Sequence, residues 1–294
     1  MSIEKWLKKN TSSLSGKTVA ITGSTGGLGA PLCAYLSRLG ASLILVDRNK
    51  SRSEAHASEL REKYGATVSL IQCDLQSGAS VIKATEELIK AEPDILIHNA
   101  GAYSIPRETC DTGYGNVFQI NFLSPYYITK KLLPTLRKKN GRVIAVGSIA
   151  HNYSKTDPND IDFVTRKASS KLYGNAKRFL MFSLYTLFEN EEDVTLSVVH
   201  PGITFTNITA HYPKVIFAII KHPMKIIFMK PKKASLCLLR GLFDSTAKSE
   251  WIGPRLFNVW GYPSKKLLKT CKNDESLFIS DQAEKAYRKM CGDI

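Results

Sequence analysis

Nothing in this chain of 294 residues is spaced to hold a metal or to be stapled by disulfides. Its six cysteines (Cys33, Cys73, Cys110, Cys237, Cys271, Cys291) include no C-x-x-C pair, and none has a histidine at metal-ligand spacing. That excludes the common zinc patterns and a secreted disulfide framework, and points to reduced, mostly buried thiols in a cytoplasmic setting. Long apolar runs are also missing: none approaches the roughly 18 residues of a membrane-spanning helix. The start, Ser2 to Lys9, is a short amphipathic stretch with Ile3, Trp6 and Leu7 on one helical face, and it lacks the apolar core and cleavage site of a secretory signal. No linker-like break and no internal repeat divides the chain, so 1–294 reads as one domain. Acidic residues are scarce, 26 against 41 basic for a net charge of +15, and none lies between Ile203 and Lys233. No nucleic-acid recognition motif accompanies that charge, which leaves an anionic ligand or a membrane surface as its partner.

What is present is an alternation. Apolar, β-branched runs at Lys17–Thr22, Ser42–Val46, Thr67–Cys73, Asp94–His98, Arg142–Gly147 and Val194–Val199 are separated by segments of helical pattern. The long segment Asp111–Lys139 reads as helix despite Pro125, and Phe163–Glu189 as helix in its second half. Strands buried on both faces and joined by helices make a doubly wound parallel sheet, an α/β fold of Rossmann type. Ligands in such sheets bind at the carboxyl ends of the strands, where Asp47, Asp74, Asn99, Ser148 and Pro201-Gly202 fall. Beyond Gly202 the alternation stops. Ala234–Phe243 reads as helix, Trp251–Phe257 as a last strand, and Gln282–Met290 as a polar terminal helix.

The first strand runs into Gly23-Ser24-Thr25-Gly26-Gly27-Leu28-Gly29, and a helical pattern follows at once. Gly23 allows a sharp turn off the strand, Gly27 a close approach of backbone N–H groups to a ligand, and Gly29 close packing of helix on sheet. The helix start offers unpaired N–H groups and a positive dipole end, which suit a pyrophosphate. At the end of the second strand, the Asp47 carboxylate can accept from adenosine ribose hydroxyls and would repel a 2′-phosphate, which favours NAD. Arg48, directly after it, puts a cation beside that carboxylate.

Thr22-Gly23-x-x-x-Gly27-x-Gly29, Asn99-Ala100-Gly101, Asn121, Ser148, Tyr173-x-x-x-Lys177 and Pro201-Gly202-x-x-x-Thr206 occur in the order seen in short-chain dehydrogenases/reductases, and the chain resembles that family from Lys17 to Thr206. Tyr-x-x-x-Lys alone is weak, because it occurs four times, at Tyr126, Tyr127, Tyr173 and Tyr262. Only Tyr173/Lys177 follows a strand end carrying a hydroxyl, Gly147-Ser148, and opens a long helix. The resemblance implies hydride transfer between a nicotinamide cofactor and an alcohol or carbonyl. Tyr173 is then the general acid/base, Lys177 lowers its pKa and holds the nicotinamide ribose, Ser148 orients the substrate oxygen, and Asn121 helps relay protons through water. It also implies a cofactor-binding set of Gly23, Ser24, Thr25, Gly27, Leu28, Gly29, Asp47, Arg48, Asp74, Leu75, Asn99, Ala100, Gly101, Tyr173, Lys177, Pro201, Gly202, Ile203, Thr204 and Thr206. Asp74 and Leu75 are expected at the adenine, and Ile203, Thr204 and Thr206 at the nicotinamide. No metal is expected. His98, standing before Asn-Ala-Gly where the family usually has Asn, is expected to be a packed or backbone-bonded imidazole.

The gap from Ser148 to Tyr173 is long and is similar to the retinol-dehydrogenase-like branch; a loop of this size bears directly on where Ser148 sits. The apolar, basic segment at about 203–233 corresponds to the family's substrate flap, and about 258–294 is a C-terminal extension. The flap implies a hydrophobic substrate (a steroid, retinoid or long-chain carbonyl compound), and its lysine-flanked patches read equally as a peripheral contact with an anionic membrane or as a dimer or core helix with solvated lysines. A homo-oligomer is expected from the family alone. Two other classes compete: a sugar-nucleotide epimerase or dehydratase, opposed by the three-residue gap between Gly23 and Gly27 and the modest C-terminal extension, and a non-catalytic cofactor-binding scaffold, which would have no use for Asn121, Ser148, Tyr173 and Lys177.

Overall fold

Eight strands form one sheet: β1 (Thr18–Thr22), β2 (Ser42–Asp47), β3 (Val68–Gln72), β4 (Ile95–His98), β5 (Arg142–Val146), β6 (Thr195–Val199), β7 (Glu250–Leu256) and β8 (Trp260–Leu267). This computed structural model describes residues 1–153, 155–204, 228–247, 249–268 and 272–292. The strand order is β3-β2-β1-β4-β5-β6-β7-β8, parallel throughout except for the antiparallel pair β7–β8. Alternate side chains of each strand feed two cores. Val19, Ile21, Leu43 and Leu45 meet α1 (Ile3–Asn10), α2 (Gly29–Arg38) and α3 (Lys50–Tyr64). Ala20, Ile44, Val143 and Ala145 face the other side, against α4 (Gly78–Ala91), α6 (Ser124–Arg137), α7 (Ser169–Leu187) and the C-terminal helix Asn273–Cys291. Burial on both faces is why these strands read as continuous apolar runs.

A one-turn helix, α5 (Asn116–Phe118), passes through a π-helical turn, Gln119–Leu123, into α6. The helical expectation for Asp111–Lys139 therefore fails at its start. Asp111 is drawn away to the head of α4, where its carboxylate accepts from Gly78 N at 2.7 Å and Ala79 N at 3.2 Å. The amphipathic start forms α1 as expected, with Trp6 and Leu7 buried.

Two differences lie in the C-terminal region. The strand expected at Trp251–Phe257 is present as β7, but β8 follows it, and Tyr262 sits in that strand stacked on Trp6 at 6.3 Å instead of in a surface turn. The terminal helix begins at Asn273, well before Gln282, because Ser276 and Ile279 are buried against the sheet's helices. Helical turns at Pro231–Ala234 and Leu236–Gly241 replace the single helix expected at Ala234–Phe243. Most of the 203–233 flap, Thr206 included, lies outside the described residues. No helix among the described residues is long and apolar enough to cross a membrane, and the five cysteines described are free thiols.

Candidate active site

The strand order reverses at β1, which has β2 on one side and β4 on the other. The crevice at such a switch point is where open α/β sheets take ligands. Here the loops after β1 and β4 are tied together. Asn99 Nδ2 donates to Thr22 O at 3.0 Å and Gly23 O at 2.8 Å, while Thr22 Oγ1 accepts from Asn99 N and Ala100 N, both at 3.1 Å. Gly23 has a left-handed φ of +69°, and a Cβ on it would lie 2.9 Å from Ala100 Cα. Only glycine fits that crossing.

Between these loops lies a cavity of about 350 Å³. Of the expected cofactor residues, Gly23, Thr25, Gly27, Leu28, Asp47, Arg48, Asp74, Leu75, Asn99, Ala100 and Gly101 line it. Its wall fits a dinucleotide on three counts. Gly27 and Leu28, directly before α2, line it, and no side chain caps the helix, which puts the positive end of the helix dipole beside the cavity. Asn99 Oδ1 is buried without a hydrogen-bond partner. Arg48 and Arg52 bring positive charge to the β2 end.

Ser24 and Gly29 stand behind this wall. A Cβ on Gly29 would fall 2.2 Å from Gly23 O, so its hydrogen lets α2 seat on the turn. Ser24 is buried and its hydroxyl donates to Asp47 Oδ2, which also accepts from Ser53 Oγ at 2.9 Å. Asp47 thus sits at the cavity as expected, with one carboxylate oxygen already held by two hydroxyls. Gly26, Asn49, Arg52, Cys73, Ala102 and Ile120 also line the cavity and were not anticipated. Arg52, one helical turn into α3, carries a legible signal: a cation close after the residue that faces the adenosine ribose.

The second group stands where β5 ends. Ser148 heads a short 3-10 turn, Ile149–Asn152, and its Oγ accepts from Ala150 N at 3.2 Å. It also stands near enough to the Tyr173 phenol to lower its pKa, so the long following loop leaves Ser148 in reach. That loop is pinned by its own contacts: Asp162 Oδ2 accepts from Gly115 N at 2.8 Å, and Asn175 Nδ2 donates to Ile161 O at 2.7 Å. One turn along α7 from Tyr173, Lys177 is 2% exposed; its Nζ donates to Val146 O at 2.9 Å and lies 5.7 Å from the Tyr173 ring centroid. Tyr103 packs edge-on against Tyr173 with centroids 5.4 Å apart, a neighbour with no motif to announce it.

Burial governs both titrating groups. It pushes the Tyr173 phenol up to about 12, against a smaller lowering from Ser148. It pulls the Lys177 ammonium down to about 7. The lowering of the phenol expected from Lys177 is not seen: desolvation dominates, and the lowering that opposes it comes from Ser148.

Asn121 sits in the π-helical turn, a distortion that often marks functional sites. Its Oδ1 accepts from Ala102 N at 3.2 Å, and its Nδ2 donates to Ala102 O and Val117 O, both at 2.8 Å. The side chain therefore fixes the loop beside Lys177. His98 is buried, with Nε2 2.7 Å from Thr129 Oγ1, and burial drives its pKa down to about 3. It is a packed imidazole, held by a side chain and not by backbone. Pro201 and Gly202 are buried after β6, and Ile203 O accepts from Met229 N at 3.0 Å. No cluster among the described residues could hold a metal ion.

A doubly wound sheet with a glycine-lined crevice at its switch point and a Ser–Tyr–Lys cluster farther along the same edge defines a Rossmann-type protein. The chain belongs to the short-chain dehydrogenase family: the family model of that description matches residues 17–214. Its curated relatives include retinol dehydrogenases. Retinol dehydrogenase 14 of Mus musculus is 32% identical over 212 residues, covering 67% of this chain and 64% of that protein. The match thus spans a little under two thirds of this relative's length. A solved short-chain dehydrogenase from Sphingobium yanoikuyae in complex with NADPH is 25% identical with a TM-score of 0.55, covering 71% of this chain and 85% of that one. An uncharacterised protein from Mycobacterium paratuberculosis shares the fold over 96% of both chains, with a TM-score of 0.72 at 23% identity.

Proposed function

We propose that this chain is an NAD(P)-dependent oxidoreductase that transfers hydride between nicotinamide and an alcohol or carbonyl carbon of a hydrophobic molecule, such as a retinoid, steroid or long-chain carbonyl compound. The observation that carries the reading is the clustering of Ser148, which lowers the Tyr173 phenol, with Tyr173 and with Lys177, whose Nζ lies 5.7 Å from the Tyr173 ring centroid, on the same sheet edge as the glycine-lined cavity. A binding scaffold has no need of a phenol beside a lysine and a serine there, and neither the motif spacing nor the relatives favour a sugar-nucleotide epimerase.

The bound nicotinamide supplies or accepts the hydride. Ser148 donates a hydrogen bond to the substrate oxygen and sets it against the phenol. In reduction, Tyr173 gives that oxygen its proton; in oxidation, it takes the proton back. With its pKa near 12 the phenol enters protonated, the form that reduction needs. Lys177 spends one of its three donors on Val146 O and offers the others to the nicotinamide ribose. Asn121 holds the Gly101–Ala102 loop over Lys177. Asp47 accepts from the adenosine ribose hydroxyls of NAD, and Arg48 with Arg52 meets the phosphate of NADP.

The same reading takes 1–294 as one domain with its core at 17–206, acting in a cytoplasmic compartment as a homo-oligomer. Ile203, Thr204 and Thr206 lead into the substrate flap at 203–233, which touches an anionic membrane peripherally. Its test pairs calorimetric titration of NADH and NADPH with a screen of apolar aldehydes and alcohols. Tyr173→Phe should bind dinucleotide like the parent and lose turnover. A Tyr173→Phe variant that turns over as fast as the parent would overturn the assignment.

A further inference from the structure

β7 runs parallel to β6, so it emerges at the carboxyl edge of the sheet, the edge that carries the site. The chain turns there over Phe257 and Asn258 and returns as β8. The turn is closed by Val259 N donating to Leu256 O at 2.9 Å, with φ of +52° at Phe257 and +58° at Asn258. Asn adopts that left-handed conformation readily; a bulky aromatic does so at a cost. Yet Phe257 is 85% exposed, and Leu256 beside it 54%. Trp260, on the returning strand, is 39% exposed. Among the described residues the other exposed large apolar side chains, Met1, Ile89, Tyr153, Val164, Leu267 and Leu277, are scattered along the chain; these three share one hairpin end.

The tip is held firmly against the site's rim. His200 Nε2 lies 3.1 Å from Asn258 O, and His200 directly precedes Pro201-Gly202. Lys266 Nζ donates to Pro254 O at 2.7 Å and Arg255 O at 2.9 Å. The chemistry around it has one sign. From Trp251 to Lys272 there is no acidic residue, and Arg255 adjoins the tip. Arg255 is exposed, as is Lys230, next to the Met229 that pairs with Thr204.

We infer that the β7–β8 hairpin tip is an interfacial anchor: Leu256, Phe257 and Trp260 enter the headgroup layer of an anionic phospholipid bilayer while Arg255 and Lys230 face its phosphates. Aromatic and aliphatic tips framed by cations are the composition of an interfacial segment. A second copy of this chain is the poorer occupant, since two such tips would set like charges together in a chain of net charge +15. The anchor stands on the hairpin's own geometry. Its value, delivering an apolar substrate to the site without passage through water, rests on the oxidoreductase reading above.

The test is sedimentation of the full chain with phosphatidylcholine vesicles containing about one quarter phosphatidylserine. The parent should pellet with the vesicles at low salt, and the Leu256→Ser/Phe257→Ser double variant should bind about tenfold more weakly. Trp6 and Trp251 are already buried, so a blue shift of emission on adding vesicles should come from Trp260 and vanish in Trp260→Phe. Unchanged thermal unfolding and NADPH titration would show the double variant intact. Binding of the double variant equal to the parent's, or a parent that stays in the supernatant, would overturn the anchor. So would a parent dimer that the double variant splits, since the tip would then belong to a second copy. Failure of the parent to bind any dinucleotide would instead sink the oxidoreductase reading and leave the vesicle result standing.

Discussion

Arg178, the residue after Lys177, grips Glu275 of the C-terminal helix through two hydrogen bonds: Nε to Oε1 at 2.6 Å, and Nη2 to Oε2. The third arm, Nη1, donates to His151 O at 2.9 Å, and Glu275 Oε1 also accepts from Thr156 Oγ1 at 3.2 Å. His151 Nδ1 in turn donates to Ser148 O at 2.5 Å. One buried ion pair therefore joins α7, the loop after Ser148 and the chain's last helix.

Glu275→Gln should lower stability by about 3 kcal/mol at neutral pH, because it strands a buried guanidinium. Burial raises the Glu275 carboxyl, but the bonds from Arg178 and Thr156 outweigh it and leave the pKa below the usual value. With the folded value depressed, the contribution is complete above the ordinary carboxylate range and fades as pH falls through the lowered one. Urea denaturation of parent and variant at neutral and acid pH should show the difference closing on acidification.

Lys177→Met should abolish turnover yet raise the thermal midpoint at neutral pH. The folded-state pKa of about 7, against 10.5 for an ordinary lysine, means that the unfolded chain binds a proton more readily throughout that interval. The lysine therefore destabilises the fold, increasingly so as pH falls from 10.5 to 7 and constantly below that. Melting curves should bring parent and variant together as the buffer is made alkaline; a gap independent of pH would contradict this.

Removing the charge at the β2 end separates the two dinucleotides. Arg48→Ala/Arg52→Ala should weaken NADPH binding about a hundredfold and leave NADH within a few fold, since each charge-assisted hydrogen bond to phosphate contributes on the order of 1.5 kcal/mol. Asp47→Ala should act on NADH and also loosen Ser24 and Ser53. Calorimetry with both cofactors on both variants decides it; parallel losses would mean that neither side chain reads the 2′-position.

Gly29→Ala should cost about 2 kcal/mol or more, as an overpacked contact does, because its Cβ would strike Gly23 O. The loss should appear in denaturation before any cofactor is added, marking Gly29 as a packing residue and not a contact. Full stability with weakened dinucleotide binding would reverse that assignment.

The sheet as far as β6 was legible because Val, Ile and Leu buried on both faces leave an unbroken apolar signature. β8 was not. Trp260–Leu267 holds Gly261, Pro263, Lys265 and Lys266, none of it buried, and only backbone pairing with β7 makes it a strand. Much of the cavity lining and the Ser148, Tyr173 and Lys177 positions could be read from motif order, which reflects local turns; Arg52, Ala102 and Ile120 could not. Nor could the side-chain commitments. Asp47 to Ser24, Asn121 to Ala102 and Arg178 to Glu275 depend on three-dimensional approach, in the last case across 97 positions of sequence.

β8 also decides where the sheet stops. Pro263 stands opposite Pro254 in the hairpin register and, having no N–H, would break any ladder offered to a further strand. Lys265 and Lys266 add charge to the same border, a common guard against uninvited pairing. At the far border Arg61 reaches across to Val68 O at 2.9 Å and occupies an acceptor of β3. Both margins are thus poor templates for amyloid-like stacking or strand exchange.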